Sequence, residues 1–153
     1  MLFTDWLRAA GTVLGMSMLP VLEVKAAIPV GLAMGLPLWA TFFIALLGSC
    51  IPVPFILLLL RPFFHWCKGR PFFHRLAEKL EGRFQKKSGG VRRYSLLGLF
   101  LFVAIPLPTT GVWTGSGIAA MLDLRIRHAL PVIVAGNAVA ALLMLAFGQI
   151  VIL

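Results

Sequence analysis

The feature that most constrains this chain is a run of 35 residues, Ala26 to Leu60, without an acidic, basic or histidine side chain. Two further uncharged runs cover residues 95–122 and 129–153. Each run reaches the roughly 20 apolar residues that cross about 30 Å of hydrocarbon. The composition agrees, because 60% of the 153 residues are hydrophobic and only 12% are charged. The sequence therefore predicts an all-α integral membrane protein with a single membrane domain, residues 1–153.

Positive charge is concentrated in one segment, residues 61–93. It carries ten of the fourteen Lys and Arg residues against two Glu residues, which is +8 of the net charge of +9. The positive-inside rule places this segment on the cytoplasmic side of a cell inner (plasma) membrane, in a multi-pass protein. Apolar residues at helical spacing predict an amphipathic interfacial helix over residues 71–87. We expect it to bind anionic lipid rather than nucleic acid, because membrane runs flank it.

An internal repeat appears when residues 20–38 are aligned with residues 106–124 at a shift of 86, which pairs Pro20 with Pro106. In both copies an apolar segment precedes the aligned stretch and a long apolar segment follows it. The predicted units are repeat 1 (residues 2–60), a basic linker (61–93) and repeat 2 (94–153).

Charge and length together predict how the second repeat enters the membrane. If residues 95–124 crossed it once, Arg125 would face outside, against the bias set by the basic linker. The helix that ends before Pro106 rises only about 16 Å, which is half of the hydrocarbon thickness. The segment is therefore predicted to form a re-entrant hairpin with its tip near residues 106–115.

The first repeat is predicted to follow the same path. Residues 2–18 and 30–37 form the two legs of a hairpin whose tip lies near residues 19–29. The spanning helices are then residues 38–60 and 129–152. Since each repeat has one hairpin and one crossing, the second copy is inverted relative to the first, as in inverted-repeat transporters. Irregular backbone at membrane depth lines a wet cavity or is buried in protein, so the two tips predict a cavity.

Two charges, Glu23 and Lys25, interrupt the apolar stretch "LPVLEVKAAIP" and would line this cavity. An ionised side chain at the bilayer centre costs about 2.5–3.5 kcal/mol, so it needs a partner, water or a proton. One interpretation is that Glu23 carries a proton or cation: desolvation favours its neutral form, and Lys25 favours its ionised form. The other interpretation is that Glu23 caps backbone N–H groups of the broken hairpin and that Lys25 pairs with it.

Two stretches resemble motifs of a known family. "PVLEVKAAIPVGLAMG" resembles the Pro-x-x-Glu-x-Arg/Lys-x-x-Ile-Pro signature of the small multidrug export protein family, and "LFLFVAIPLPTTGVWTGSGIAA" resembles its second motif. Glu23 and Lys25 match the acidic and basic positions of the signature. The family is more remotely similar to the DedA membrane proteins, which implies re-entrant hairpins, proton-motive-force dependence and, in some members, polyprenyl-phosphate transport. Val103 and Thr109 stand where DedA proteins typically have two arginines.

The candidate coupling and substrate cavity combines the two charges with the prolines, hydroxyls and amide of both repeats. Its predicted members are Glu23, Lys25, Pro20, Pro29, Pro106, Pro108, Thr109, Thr110, Trp113, Thr114, Ser49 and Asn137. For the hydroxyl groups, close helix packing is an equal alternative to lining a cavity. We expect no cofactor, no metal site and no enzyme activity, since no catalytic constellation falls at one membrane depth.

The expected function is proton- or cation-coupled secondary transport of a lipid-like or amphipathic substrate, with polyprenyl phosphate as one candidate. One alternative is a small multidrug exporter. The other is a membrane adaptor that transports nothing and acts through residues 61–93. Because two spanning helices enclose little space, we expect a homodimer.

Overall fold

The computed structural model describes residues 3–68, 90–107 and 110–152, and within these ranges the regular structure is helical. Its helices are α1 (Phe3–Met18), α2 (Glu23–Ala33), α3 (Leu38–Cys50), α4 (Pro52–Lys68), α5 (Gly90–Ala104), α6 (Val112–Met121) and α7 (Ile126–Ile152). The predicted amphipathic helix over residues 71–87 lies outside the described residues, as do Pro108 and Thr109.

Two stretches of the described chain are long and apolar enough to cross a membrane. They are Leu38–Phe63, formed by α3 and α4, and Ile126–Gly148 in α7, with 26 and 23 residues. Only 33% of the apolar window in each is buried, so most of its side chains are free to contact lipid. Large apolar side chains on the exposed surface of the first stretch include Trp39, Phe43, Leu47, Phe55 and Leu59. These are the candidate membrane-spanning helices, and they include the predicted segment 38–60 and residues 129–148 of the predicted segment 129–152.

The first spanning stretch is interrupted where the sequence predicted one helix. α3 ends at Cys50 and α4 begins at Pro52, whose ring nitrogen has no hydrogen to donate to the preceding turn. Ile51 between them keeps helical backbone angles, φ −55° and ψ −48°, and its N–H still donates to the Leu47 carbonyl at 3.1 Å. The interruption is therefore local.

The two short helices, α2 and α6, each follow a break in the chain. Pro106 lies in the non-helical segment between α5 and α6, as the sequence predicted. The first break is shorter than predicted, because α2 already begins at Glu23 and includes Pro29. Val24, Ala27 and Ile28 of α2 are fully buried, and their packing outweighs the one hydrogen bond that Pro29 does not donate. We call residues 19–22 the first break and the described residues 105–107 and 110–111 the second break.

The short helices α2 and α6 each pack against the other half of the chain. α1 packs on α3 and α5 packs on α7, each within its own half. α2 packs on α7 as well as on α1 and α3, and α6 packs mainly on α4. Two core clusters result, and each contains residues from both halves. The first includes Val13, Val24, Ala27, Ile28, Phe42, Ala140 and Ala141, and the second includes Val53, Leu57, Leu99, Val103, Val112, Ala119 and Ile133.

The ends of α2 and α6 have the same local geometry. The Leu36 N–H donates to the Gly31 carbonyl at 3.0 Å, and the Leu124 N–H donates to the Ala119 carbonyl at 3.0 Å. The residue before each leucine has positive φ, 80° at Gly35 and 51° at Asp123. This is the left-handed turn that commonly ends a helix. The matching positions are separated by 88 residues, two more than the shift of 86 in the sequence alignment.

The same match continues into the spanning helices through two glycines. A Cβ added at Gly48 would lie 2.8 Å from the Leu14 carbonyl oxygen, and one added at Gly136 would lie 2.8 Å from the Phe100 carbonyl oxygen. Each glycine therefore allows its helix to approach the backbone of the first helix of the same half.

Candidate functional site

Glu23 opens α2 directly after the first break. Its backbone has a positive φ of 45°, which is uncommon for a residue with a side chain and costs free energy. Only 3% of the residue is exposed. The chain therefore holds a carboxylate inside the protein on strained backbone, an arrangement that persists only where the surrounding contacts enforce it.

The Glu23 carboxylate caps a helix from the other half of the chain. The Trp113 N–H, in the first turn of α6, donates to Glu23 Oε1 at 3.2 Å. The first N–H groups of a helix have no partner within the helix, and they favour negative charge. Gly111, which precedes α6, has no side chain to accept from them. Glu23 therefore supplies the acceptor that α6 lacks.

Gly111 provides the space that the carboxylate occupies. A Cβ at this position would overlap the carboxylate atoms of Glu23. Its φ of 154° and ψ of −166° also belong to a backbone region that is used almost only by glycine. Both the space and the backbone conformation therefore require glycine here.

Lys25 reaches from α2 into the second break. Its Nζ donates to the carbonyl oxygens of Leu107 and Thr110. The same nitrogen lies 3.7 Å from Glu23 Oε2, and the two side chains are 14% and 3% exposed. The ammonium group is thus surrounded by oxygen atoms, two from the backbone and one from a carboxylate.

The backbone of the second break is fixed by the Thr110 side chain. The Leu107 N–H donates to Thr110 Oγ1 at 3.1 Å, and Thr110 Oγ1 donates to the Ile105 carbonyl at 2.5 Å. The Thr110 N–H in turn donates to the Leu107 carbonyl at 3.2 Å. These bonds fix the backbone at Leu107 and Thr110, whose carbonyl groups both accept from Lys25.

Trp113 makes the reciprocal contact. Its indole Nε1–H donates to the Met18 carbonyl at 3.2 Å, at the end of α1. Lys25 and Trp113 are 88 positions apart, the same separation as the matching helix ends. Lys25 reaches the second break, and Trp113 reaches Met18, directly before the first break.

A second polar pair joins the two spanning stretches. Asn137 Nδ2 donates to Ser49 Oγ at 2.6 Å, and both residues are buried. Ser49 Oγ also donates to the Leu46 carbonyl at 3.0 Å. The two side chains occupy matching positions, and they bond to each other.

The structure brings four of the predicted cavity residues into one group: Glu23, Lys25, Thr110 and Trp113. The remaining described members lie elsewhere. Pro20 is exposed in the first break, Pro29 is inside α2, Pro106 is half-buried in the second break, Thr114 is exposed on α6, and Ser49 and Asn137 form their own pair. No three His, Cys, Asp or Glu side chains of the described ranges group as metal ligands.

Three parts of the site were not predicted: Gly111 and the carbonyl groups of Leu107 and Thr110. The signal for Gly111 is a lone glycine directly before a helix, with no Ser, Thr, Asp or Asn at the cap position. Carbonyl groups have no sequence signal, since every residue carries one.

Comparison with known proteins gives one family match. Neither the curated proteins nor the solved structures contain a match to the chain. The similarity to DedA proteins therefore stays a prediction. A family model matches residues 23–143, a region that begins at the buried carboxylate and includes the first spanning stretch, the second break and most of the second spanning stretch. The chain belongs to the family described as "Putative small multi-drug export protein".

Proposed function

We propose that this protein is a membrane exporter that couples transport of an amphipathic substrate to a proton or cation through Glu23. The observation that carries this proposal is the unequal state of the two carboxylate oxygens. Oε1 accepts the Trp113 N–H, whereas Oε2 is buried and has no hydrogen-bond donor within the described residues. The family description supports export.

A buried carboxylate oxygen without a donor is a basis for coupling. Leaving such a group unsatisfied costs about 1–3 kcal/mol, and more when it is charged. Binding a proton at Oε2, or placing a cation beside it, removes this cost. Lys25 Nζ lies at 3.7 Å, beyond hydrogen-bond distance, so it offsets the charge without donating a hydrogen bond to this oxygen. Glu23 is therefore able to exchange one positive partner for another.

The inverted repeat with two re-entrant hairpins belongs to the same proposal. The reciprocal contacts of Lys25 and Trp113, together with the bond between the matching residues Ser49 and Asn137, are what a two-fold relation between the halves produces. In a two-fold arrangement, residues close to the axis contact their own equivalents. The two breaks then meet at the axis, and rocking of one half against the other exposes Glu23 to either side in turn.

A second contact supports the re-entrant path of α5 and α6. Arg61 Nη2, near the end of the first spanning stretch, lies 2.8 Å from Asp123 Oδ1, in the turn after α6. Arg61 opens the basic linker that leads to α5. This contact supports an arrangement in which the end of α6 lies at the side of the membrane from which α5 enters.

Cysteine labelling tests this path. In a variant with Cys50 and Cys67 replaced by serine, Tyr94→Cys and Arg125→Cys mark the two ends of the α5–α6 hairpin, and Trp39→Cys marks the opposite side. A membrane-impermeant maleimide is expected to label the first two from the same face of oriented vesicles and Trp39→Cys from the other. Labelling of Tyr94→Cys and Arg125→Cys from opposite faces would show that α5 and α6 cross the membrane and would contradict the hairpin.

Flux in proteoliposomes tests the function. Purified protein is reconstituted, a pH gradient is imposed, and movement of a fluorescent lipophilic cation is compared with that of a polyprenyl phosphate. We expect gradient-driven flux of one of these substrates in the unmodified protein and loss of the gradient dependence in Glu23→Gln. Asp5→Asn, which removes an exposed acid of α1, is the matched control and is expected to transport normally. Gradient-driven flux in a folded Glu23→Gln variant would exclude Glu23 as the coupling group.

A further inference from the structure

Lys25 Nζ lies in a group of oxygen atoms, and the role of Glu23 as the coupling carboxylate does not explain this group. The ammonium group lies among Glu23 Oε2 and the carbonyl oxygens of Leu107 and Thr110. We propose that these three oxygens form a binding site for a monovalent cation, that Lys25 is a tethered occupant of this site, and that a transported Na⁺ or primary ammonium group takes its place. This inference rests on the proposed function and names the class of cation that Glu23 serves.

The ligand set suits a single positive charge. Oxygen atoms from one carboxylate and two carbonyl groups are the kind of ligands that bind alkali cations at interrupted helices of transporters. The Leu107 carbonyl lies three residues beyond the C-terminal end of α5, the end of a helix where the dipole favours cations. With one carboxylate in the set, one positive charge makes the site neutral, whether Lys25 or a free ion supplies it.

The site persists when Lys25 leaves it. Glu23 Oε1 is held by the Trp113 N–H, so the orientation of the carboxylate does not depend on Lys25. The Leu107 carbonyl accepts the Thr110 N–H at 3.2 Å and the Thr110 hydroxyl at 3.1 Å. Two of the three oxygens therefore have a support other than the lysine, and the third belongs to Thr110, whose N–H and hydroxyl form these bonds.

Lys25 itself is able to move. Its side chain is 14% exposed while that of Glu23 is 3% exposed, so a path to the surface lies on the lysine side. A lysine ammonium on a flexible four-carbon stem behaves as a mobile point charge. Displacement by an incoming cation would move the lysine toward this exposed side and leave the three oxygens in place.

Equilibrium binding of radioactive Na⁺ to the full chain in lipid nanodiscs tests the proposal at a pH near 8. If Lys25 fills the site in about nine molecules of ten, the apparent Kd for Na⁺ is about tenfold weaker than that of the open site. We expect Lys25→Met to bind Na⁺ about tenfold more tightly than the unmodified protein, and Lys25→Gln, which keeps N–H donors for the carbonyl groups, to do the same. Methylammonium is expected to compete with Na⁺ in both variants.

Three controls make the result specific. Arg8→Met removes an exposed cation of α1 and is expected to leave Na⁺ binding unchanged. Lys25→Arg keeps the competing charge and is expected to bind as weakly as the unmodified protein. The double variant Glu23→Gln, Lys25→Met is expected to lose the gain in Na⁺ affinity that Lys25→Met shows alone.

Equal Na⁺ affinity in folded Lys25→Met, Lys25→Gln and unmodified protein would overturn the proposal, as would a gain that survives in the double variant. Either outcome leaves the proposed function intact if Glu23→Gln still abolishes gradient-driven flux. If Glu23→Gln kept gradient-driven flux while Lys25→Met bound Na⁺ more tightly, the result would instead support the cation site and contradict the proposed function.

Discussion

The two chain breaks occupy matching places but contribute different chemistry. The first break is followed by Glu23 and Lys25, whose side chains cross to the other half. The second break contributes backbone groups: the Trp113 N–H and the carbonyl oxygens of Leu107 and Thr110. At the position that matches Glu23, 88 residues further on, stands Gly111, which leaves room for the carboxylate. A site between two similar halves thus becomes asymmetric, with side chains from one half and backbone from the other.

Replacement of Gly111 would break this comparison most severely. In Gly111→Ala the new methyl group overlaps the Glu23 carboxylate, and the backbone strain alone costs about 1–3 kcal/mol. We expect a large fall in the free energy of unfolding, measured by titration with SDS in mixed micelles. Gly117→Ala in the same helix has no atom within 4 Å of the added Cβ and is the matched control, with stability unchanged or slightly raised. A normal stability of Gly111→Ala would mean that the carboxylate does not occupy this space.

Removal of the Thr110 hydroxyl tests whether the backbone of the second break needs a side chain to hold it. Thr110→Val leaves the Leu107 N–H without its acceptor, which we expect to lower the free energy of unfolding by about 1–3 kcal/mol. Thr12→Val removes an exposed hydroxyl that bonds to its own helix and is expected to change stability by less than about 0.5 kcal/mol. Similar effects of the two substitutions would show that the break is held by other contacts.

The pair Ser49 and Asn137 sharpens the comparison, because here both halves contribute side chains. A double-mutant cycle with Ser49→Ala and Asn137→Ala is expected to give a coupling energy of about 0.6–1.7 kcal/mol, the range for polar contacts within membranes. The same cycle with Thr12→Val in place of Asn137→Ala is expected to give a value near zero. A coupling energy near zero for Ser49 and Asn137 would remove this pair as a contact between the halves.

The smallest effect is expected where the turns after α2 and α6 differ. Asp123 pairs with Arg61 at 2.8 Å, whereas the matching residue after α2 is Gly35. Both members of the ion pair are partly exposed, so Arg61→Met is expected to cost about 0.2–1 kcal/mol, and less at high salt. Arg127→Met, an exposed cation of α7, is the control. A salt-independent loss would indicate that Arg61 acts through packing of its stem.

Much of the architecture could be predicted from the sequence because membranes restrict the choices. The long uncharged runs indicated the spanning stretches, and Pro106 indicated the second break. The position of Pro29 inside α2 could not be predicted, since it depends on the burial of neighbouring residues from both halves. In the sequence, a shift of 88 matches Gly48 and Ser49 with Gly136 and Asn137, but it could not be predicted for the turns after α2 and α6, because Gly35 and Asp123 match in backbone geometry and not in residue type.

The site was predictable only in its charged part. A Glu and a Lys in an apolar stretch are conspicuous, and the structure places the side chains of both in contact with residues of the second half. Both interpretations of Glu23, as a proton or cation carrier and as a cap of backbone N–H groups, are compatible with the observed contacts. Capping α6 uses one carboxylate oxygen and leaves the other without a donor. The capped helix belongs to the other half, which only the folded packing specifies.

Because the site is composed largely of peptide oxygens, it responds in a particular way to mutagenesis and to sequence variation among relatives. Two of the three atoms around the Lys25 ammonium are carbonyl oxygens, and the Leu107 side chain itself is 53% exposed. Alanine scanning of the second break would therefore leave the Leu107 ligand unchanged, and relatives are free to vary that side chain without losing it. An inserted or deleted residue between Ile105 and Gly111 would displace both carbonyl groups at once, so loop length, rather than loop composition, is the property to compare among members of this family.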